Sequence, residues 1–335
     1  MFISLDEFYE KIIKSDEYCF ICLSHNSKKT FNNEHILPKW ILKKFKLFDK
    51  KIILPNKSSI TYGHYVIPCC LECNRFMSKF YEKPISNFLK LPYEEIIEEI
   101  NSKIEIKIKL FHWIALIFMK THIKTTFLNQ NKNPKLNSGK ISDLFDWVNL
   151  HHIYIMCRAH YTKSNIHNNV YGSFFIVQGM SDENNNFDYV DSSLSRCILI
   201  KLGELSLFCC LDDCKVGNYI INDMLQNTKQ PYHPLQLREI LAHLSFININ
   251  LKNRPIFFSS IQKNNEHLIT VKFPDEPPTI LEERDRDFSI GDFLSLFVES
   301  YFDNIIEKEK YIKEIKEGKR GYLFDLNGDF FKMEL

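Results

Sequence analysis

The chain lacks the features of an exported or membrane-embedded protein. Its first residues, Met1 to Glu7, contain no positively charged segment and no long apolar run, so we expect no secretory signal. The longest apolar run extends from Leu110 to Met119 and is too short to span a bilayer. No internal repeat is present. We therefore expect no membrane association and a cytoplasmic location, where reducing conditions make paired cysteines favour a metal over a disulfide.

Length and charge distribution predict more than one domain and a basic front segment. The 335 residues exceed one ordinary hydrophobic core, so we expect two or three domains. The net charge is only +1, but residues 1–90 hold 15 Lys and Arg against 9 Asp and Glu, whereas residues 91–335 hold 28 against 33. A nucleic-acid-binding module has such a basic segment, although a solvated lysine-rich surface produces the same charge.

Three short clusters follow one another between residues 19 and 74. They are Cys19-Phe20-Ile21-Cys22, Glu34-His35-Ile36-Leu37-Pro38 and Cys70-Leu71-Glu72-Cys73-Asn74. One Cys-x-x-Cys pair is a weak signal, but two pairs suit a single tetrahedral zinc held by Cys19, Cys22, Cys70 and Cys73. By spacing, Cys69 is not a ligand. The cysteines at 209, 210 and 214 lack histidine or acidic support and are interpreted as core residues.

The order CxxC, [DE]HIxP, CxxCN resembles the zinc-stapled HNH endonucleases of the ββα-metal superfamily. The resemblance covers roughly residues 15–85, about a fifth of the chain. It implies an α+β fold class with an N-terminal ββα-metal (HNH) finger, followed by a helical segment and a mixed α/β C-terminal domain. The predicted segments are 1–88 for the nuclease domain, 89–148 for the helical segment, 149–275 for the mixed domain, and 276–335 for a last helix and hairpin.

The resemblance also implies roles for individual residues. His35 would be the general base that activates water, and Glu34 and Asn74 would hold a catalytic Mg²⁺ or Mn²⁺. Family members more often carry Asp at the position of Glu34. A middle motif residue normally orients the base through a backbone carbonyl. Spacing places that residue at Tyr65, but the neighbouring His64 is our choice, because strand neighbours face opposite ways and only one can serve.

The resemblance predicts a metal-dependent endonuclease whose substrate is nucleic acid, with DNA favoured over RNA. Exposed cations would contact phosphates without sequence preference, namely Lys39, Lys43, Lys44, Lys46 and Arg75. By analogy alone, such chains are restriction or anti-phage effectors, which implies a partner protein of a defence system. Two alternatives stay open: a zinc-containing nucleic-acid-binding module without catalysis, and an RNA-directed nuclease.

The rest of the chain is interpreted from periodicity. A helix over 106–129 is apolar on nearly all sides, so we expect it to be buried, either as the hub of the second domain or in a homodimer. We also expect strands over 153–158, 172–178, 197–202, 205–212 and 268–273, and helices over 218–226 and 234–246. A further helix is expected to run from Ser289 to about Glu317 and to end at Gly318.

Overall fold

The computed structural model describes residues 3–133, 135–136, 138–262, 266–303, 305–325 and 327–335. The α-helices are α1 Leu5–Phe8, α2 Lys39–Lys44, α3 Leu71–Met77, α4 Lys83–Phe88, α5 Tyr93–Ser102, α6 Ile104–Lys124, α7 Trp147–Thr162, α8 Val216–Leu225, α9 Pro234–Ile249, α10 Ile290–Val298 and α11 Lys308–Lys316. The strands are β1 Phe31–His35, β2 Lys51–Ile53, β3 Ser59–Thr61, β4 Val66–Cys70, β5 Asn165–Ile166, β6 Phe174–Gln178, β7 Phe187–Ser192, β8 Cys197–Leu202, β9 Leu205–Cys210, β10 Leu251–Lys252, β11 Ile256–Ile261, β12 His267–Lys272 and β13 Thr279–Ile280. This mixture of helices and strands agrees with the α+β class expected from the sequence.

The chain divides into two units. The first comprises Met1–His167 with Phe258–Thr270, and the second comprises Asn168–Phe257 with Val271–Leu335. Helix α7, which ends at Thr162, packs against α1 and α6 within the first unit.

In the first unit, β1 and β4 form an antiparallel pair, and α3 follows β4 directly. A second hairpin, β2 with β3, lies between them in sequence. Helical structure continues beyond α3 through a π-helical turn at Ser78–Glu82 into α4. The β1–β4 pair and α3 carry the second and third sequence clusters, and the first cluster, Cys19–Cys22, precedes β1.

Helix α6 occupies the core of the first unit. Its residues from Leu110 to Ile123 are all buried, and it packs against α5 and α7. The expected burial of this helix is confirmed, and its packing within the chain supports the hub alternative, although the hub belongs to the first unit. Among the residues that the structure describes, no helix is long and apolar enough to cross a membrane.

The strand predicted over 153–158 is wrong, because these residues lie in α7. Buried positions occupy almost the whole middle of this helix, from Ile153 to Ala159, so its sequence has no clear helical periodicity. An N-cap begins it: the Asp146 carboxylate accepts hydrogen bonds from the amides of Val148 and Asn149.

The second unit is built on a four-stranded antiparallel sheet in the order β6-β9-β8-β7. Helix α9 packs against β8 and β9, α10 packs against α9, and all six residues of β8 and of β9 are buried. Cys209 and Cys210 are inside this sheet, which confirms their interpretation as core residues. The helix expected from Ser289 to Glu317 is wrong in length, because α10 ends at Val298 and α11 begins only at Lys308.

Candidate metal centre and candidate active site

Four thiols of the first unit converge. The sulfur atoms of Cys19, Cys22, Cys70 and Cys73 all lie within 4.8 Å of one another, and those of Cys22 and Cys70 are 3.6 Å apart. Zinc bound to four thiolates at about 2.3 Å in a tetrahedron separates the sulfurs by about 3.8 Å. The four cysteines are therefore close enough to hold a metal ion, and their donor atoms fit zinc.

The second cysteine pair is shaped by the end of β4 and the start of α3. Cys70 is the N-cap of α3, and its sulfur accepts a hydrogen bond from the Cys73 amide at 3.5 Å. This arrangement directs both sulfurs to the same point. In the first pair, the Leu23 amide donates to the Cys19 carbonyl at 2.8 Å, and Leu23 itself adopts a left-handed conformation with φ of 62°. Both pairs thus form tight turns.

Two side chains of α7 hydrogen-bond to the backbone of the turn that carries Cys19 and Cys22. The Tyr154 hydroxyl donates to the Phe20 carbonyl at 2.8 Å, and Arg158 Nε donates to the Ile21 carbonyl at 2.6 Å. Phe20 and Ile21 are the two residues between the cysteines, and both donors are buried. The backbone between Cys19 and Cys22 is therefore bonded to a helix that follows it by 134 and 137 residues in sequence.

Cys69 lies beside this group without belonging to it. Its sulfur is 3.8 Å from that of Cys19, but the thiol donates to the Cys70 carbonyl. These contacts support the prediction that Cys69 is not a ligand.

The remaining motif residues lie on β1 and α3, and β4 pairs with β1 before leading into α3. Glu34 stands opposite Ile67 and His35 opposite Val66 in the register of the two strands. Asn74, on α3, donates from Nδ2 to Asn32 Oδ1 at 3.1 Å. Asn32 and Glu34 share one face of β1 because side chains alternate along a strand. This amide pair ties the helix to the face that carries Glu34, and Asn32 was missed by sequence reasoning.

His35 is half-buried and is oriented by the main chain of Gly63. Its ring forms a hydrogen bond to the Gly63 backbone that favours the protonated ring, as a bond to a carbonyl oxygen does. The ring also lies edge-on to Phe48, with 6.2 Å between the centroids. Burial, followed by the charge of Lys39, lowers the pKa of His35 from its usual 6.5. The imidazole is therefore neutral near pH 7 and can accept a proton.

The two candidates for the middle motif position, His64 and Tyr65, directly follow Gly63 in sequence. His64 is exposed, and its Nδ1 is 2.7 Å from Thr61 Oγ1. Tyr65 is only 3 % exposed, and its carbonyl accepts from the Ile36 amide at 3.0 Å. The backbone group that bonds to the His35 ring belongs to Gly63, one residue before His64.

Glu34 makes a buried ion pair that the sequence did not reveal. Lys120 Nζ, on α6, lies 2.8 Å from Glu34 Oε1 and 2.7 Å from the His35 carbonyl oxygen. Lys120 is 1 % exposed and Glu34 is 6 % exposed. The available signal was a lysine inside an otherwise apolar helix, because a fully buried ammonium needs a paired carboxylate.

Glu82 is a second carboxylate near this pair and was also missed. It is half-buried and interacts electrostatically with Lys120, Glu34 and Lys39. Burial raises the pKa of Glu82, and the two lysines oppose that effect. Glu82 therefore lies within electrostatic reach of Glu34 and of two ammonium groups, Lys120 and Lys39.

The donor atoms around Glu34 fit a divalent cation only in part. Only Oε1 of Glu34 carries a hydrogen bond in the described part of the chain, and the other expected ligand is the amide oxygen of Asn74, whose Nδ2 donates to Asn32. Both are oxygen donors, which Mg²⁺ and Mn²⁺ prefer. However, Lys120 neutralises Glu34, so a cation would gain little charge compensation from these two residues.

The predicted nucleic-acid contacts lie on the surface of the first unit. All five cations are exposed, namely Lys39, Lys43, Lys44, Lys46 and Arg75. Three belong to α2, which begins four residues after His35. Their position leaves them available to an extended anionic ligand.

Comparison with known proteins adds no family. No protein-family model, no curated protein and no solved structure matches this chain.

Proposed function

We propose that this protein is a metal-dependent endonuclease of the HNH type, with DNA favoured over RNA as its substrate. One observation carries the proposal: His35, at the end of β1, is half-buried, and its ring is hydrogen-bonded to the Gly63 backbone. Burial lowers the pKa of His35, and β4, the partner strand of β1, leads into α3, whose N-cap is Cys70. A general base needs this combination of access, pKa and fixed orientation.

In this proposal each motif residue has a role. His35 takes a proton from the attacking water, and the Gly63 backbone holds the ring while it does so. Glu34 and Asn74 hold Mg²⁺ or Mn²⁺, which when bound stabilises the negative charge that develops on the scissile phosphate. The lysines of α2 and Arg75 bind neighbouring phosphates and position the strand. His64 is the alternative orienting residue.

The four cysteines hold a structural zinc that fixes the start of α3 against the first turn. A closed four-thiolate site has no open coordination position, so this zinc does not take part in hydrolysis. Thiolates require reducing conditions, which is in keeping with a cytoplasmic location. A role as a defence effector with a partner protein extends this proposal by analogy only.

The test is nicking of supercoiled plasmid and cleavage of a structured RNA, each with Mg²⁺ or Mn²⁺. Wild type should cut, whereas His35→Ala and Asn74→Ala should not, and added Mn²⁺ should partly restore Asn74→Ala. The matched control is His267→Ala, which removes a histidine from β12 in the same unit. Equal cleavage by wild type and His35→Ala would refute the assignment of the base.

A nucleic-acid-binding module without catalysis is the second candidate. The specific observation in its favour is the Lys120–Glu34 pair, which occupies the carboxylate expected to hold the cation. Tight DNA binding by a wild-type protein that cuts neither nucleic acid with any divalent cation would select this candidate.

A further inference from the structure

The charge balance around Glu34 is unusual for a cation site. Glu34 and Glu82 carry the negative charge, Lys120 pairs with Glu34, and both Lys120 and Lys39 lie within electrostatic reach of Glu82. The group therefore has no surplus negative charge. A protein site that binds Mg²⁺ or Mn²⁺ by itself normally presents more carboxylate charge than cationic charge.

Lys120 is placed rigidly. It lies on a helix whose neighbouring residues are buried, and its ammonium bridges the Glu34 side chain and the His35 carbonyl. A bound dication at Glu34 would share that carboxylate with Lys120, and like charges a few ångströms apart repel strongly where water is scarce. Lys120 therefore both positions Glu34 and weakens the attraction of the site for a cation.

We propose that Lys120 is a positioning residue that neutralises Glu34, so that the divalent cation binds strongly only together with a phosphate of the nucleic acid. This inference rests on the proposed nuclease function. The phosphate oxygen supplies the missing negative charge and a further oxygen ligand, as substrate phosphates do for Mg²⁺ in other enzymes. The metal is then loaded at the place and time at which a scissile bond is present.

The experiment uses zinc-loaded protein and measures its Mn²⁺ affinity from the loss of the electron paramagnetic resonance signal of free Mn²⁺. All proteins carry His35→Ala, so that added duplex DNA stays intact. We expect weak binding by the protein alone and at least about tenfold tighter binding with the duplex present. Glu34→Gln should abolish the tight binding, which places the ion at this carboxylate.

A charge series at Lys120 separates an electrostatic role from a purely structural one. Lys120→Gln should bind Mn²⁺ at least about tenfold tighter than its parent without DNA, and the duplex should then add little. Lys120→Arg keeps the charge and should behave as its parent does. The matched control Lys124→Gln removes the next lysine of α6, whose ammonium lies over Phe127, and should change nothing.

The outcomes are distinct. Equal Mn²⁺ affinities in Lys120→Gln and Lys120→Arg, or no effect of the duplex on the parent protein, would overturn the inference. If Lys120→Gln does not fold, Lys120→Met is measured in its place, and the duplex effect on the parent protein tests the inference without any change at Lys120. If the wild type cuts nucleic acid, but neither the duplex nor the charge at Lys120 changes the Mn²⁺ affinity, only this inference fails. If no nucleic acid is cut while both effects are present, the nuclease function fails and the coupled cation site stands.

Discussion

Arg158 donates a hydrogen bond from Nε to the carbonyl oxygen of Ile21 across 2.6 Å, and 137 residues separate the two in sequence. The guanidinium is buried and also lies 5.3 Å from the Tyr154 ring centre. The buried carbonyl of Ile21, between Cys19 and Cys22, thereby accepts a hydrogen bond from a charged side chain of α7. This contact makes α7 part of the metal centre.

Arg158→Met should therefore destabilise the protein and loosen its metal. Loss of a charged donor leaves a buried carbonyl unsatisfied, which costs about 1–3 kcal/mol in the free energy of unfolding. Urea denaturation and the rate of zinc transfer to a chelator measure the two effects. Arg284→Met, at an exposed arginine, is the control and should match wild type in both. If Arg158→Met leaves the rate of zinc transfer to the chelator unchanged, α7 does not support the metal site.

The four cysteines should hold about one zinc per chain. Cys70→Ser should lose the zinc and unfold the front of the first unit, because metal binding and folding are coupled in such sites. Elemental analysis and circular dichroism check both. Full zinc retention in the double variant Cys19→Ser/Cys73→Ser would contradict the four-thiolate site.

Cys69→Ala should keep the zinc, in contrast to Cys70→Ala. The Cys69 thiol donates to the Cys70 carbonyl and lies 3.8 Å from the Cys19 sulfur, so its loss removes two weak hydrogen bonds and no ligand. Thiol titration before and after zinc removal gives a second readout, since only four thiols should become reactive together. The reverse pattern in the two variants would shift the second cysteine pair by one residue.

The pH dependence of cleavage should report His35. Burial and Lys39 lower the pKa of this residue from 6.5, so the neutral form that acts as a base persists to lower pH than usual. The rate should rise with pH and reach its plateau with a midpoint below 6.5. Loss of the base should lower the rate by about 10²–10⁴ and leave zinc content and DNA binding unchanged. A midpoint above 6.5 would point to another group.

Gly63 and His64 should differ in their importance. A Cβ at Gly63 would lie 3.0 Å from the Phe48 carbonyl oxygen, so Gly63→Ala must displace the segment that orients His35 and should lower the cleavage rate. His64→Ala removes an exposed side chain bonded to Thr61 and should be mild. Rates measured at saturating DNA, with zinc content as the control for folding, decide this. A severe His64→Ala would instead assign the middle role to His64.

Local patterns were enough to predict several elements. The strands at 197–202 and 205–210 and the helices at 216–225 and 234–249 match expectation, because their caps, turns and apolar runs are continuous in sequence. The cysteine spacing likewise predicted the four thiols that converge. In contrast, α7 was taken for a strand because its middle residues are buried on nearly all sides and have no helical period to detect.

The amino-acid sequence by itself determined the two cysteine turns, the acidic residue and histidine at the end of β1, and the asparagine at the start of α3, because these groups depend on neighbours within a few residues. Only the tertiary structure decided what surrounds them. Lys120 hydrogen-bonds to Glu34, 86 residues before it in sequence, and Arg158 hydrogen-bonds to Ile21, 137 residues before it. The His35 ring hydrogen-bonds to the backbone of Gly63. Buried polar groups need hydrogen-bond partners, and here the partners come from distant parts of the chain. The spacing of residues within a short segment does not specify these partners.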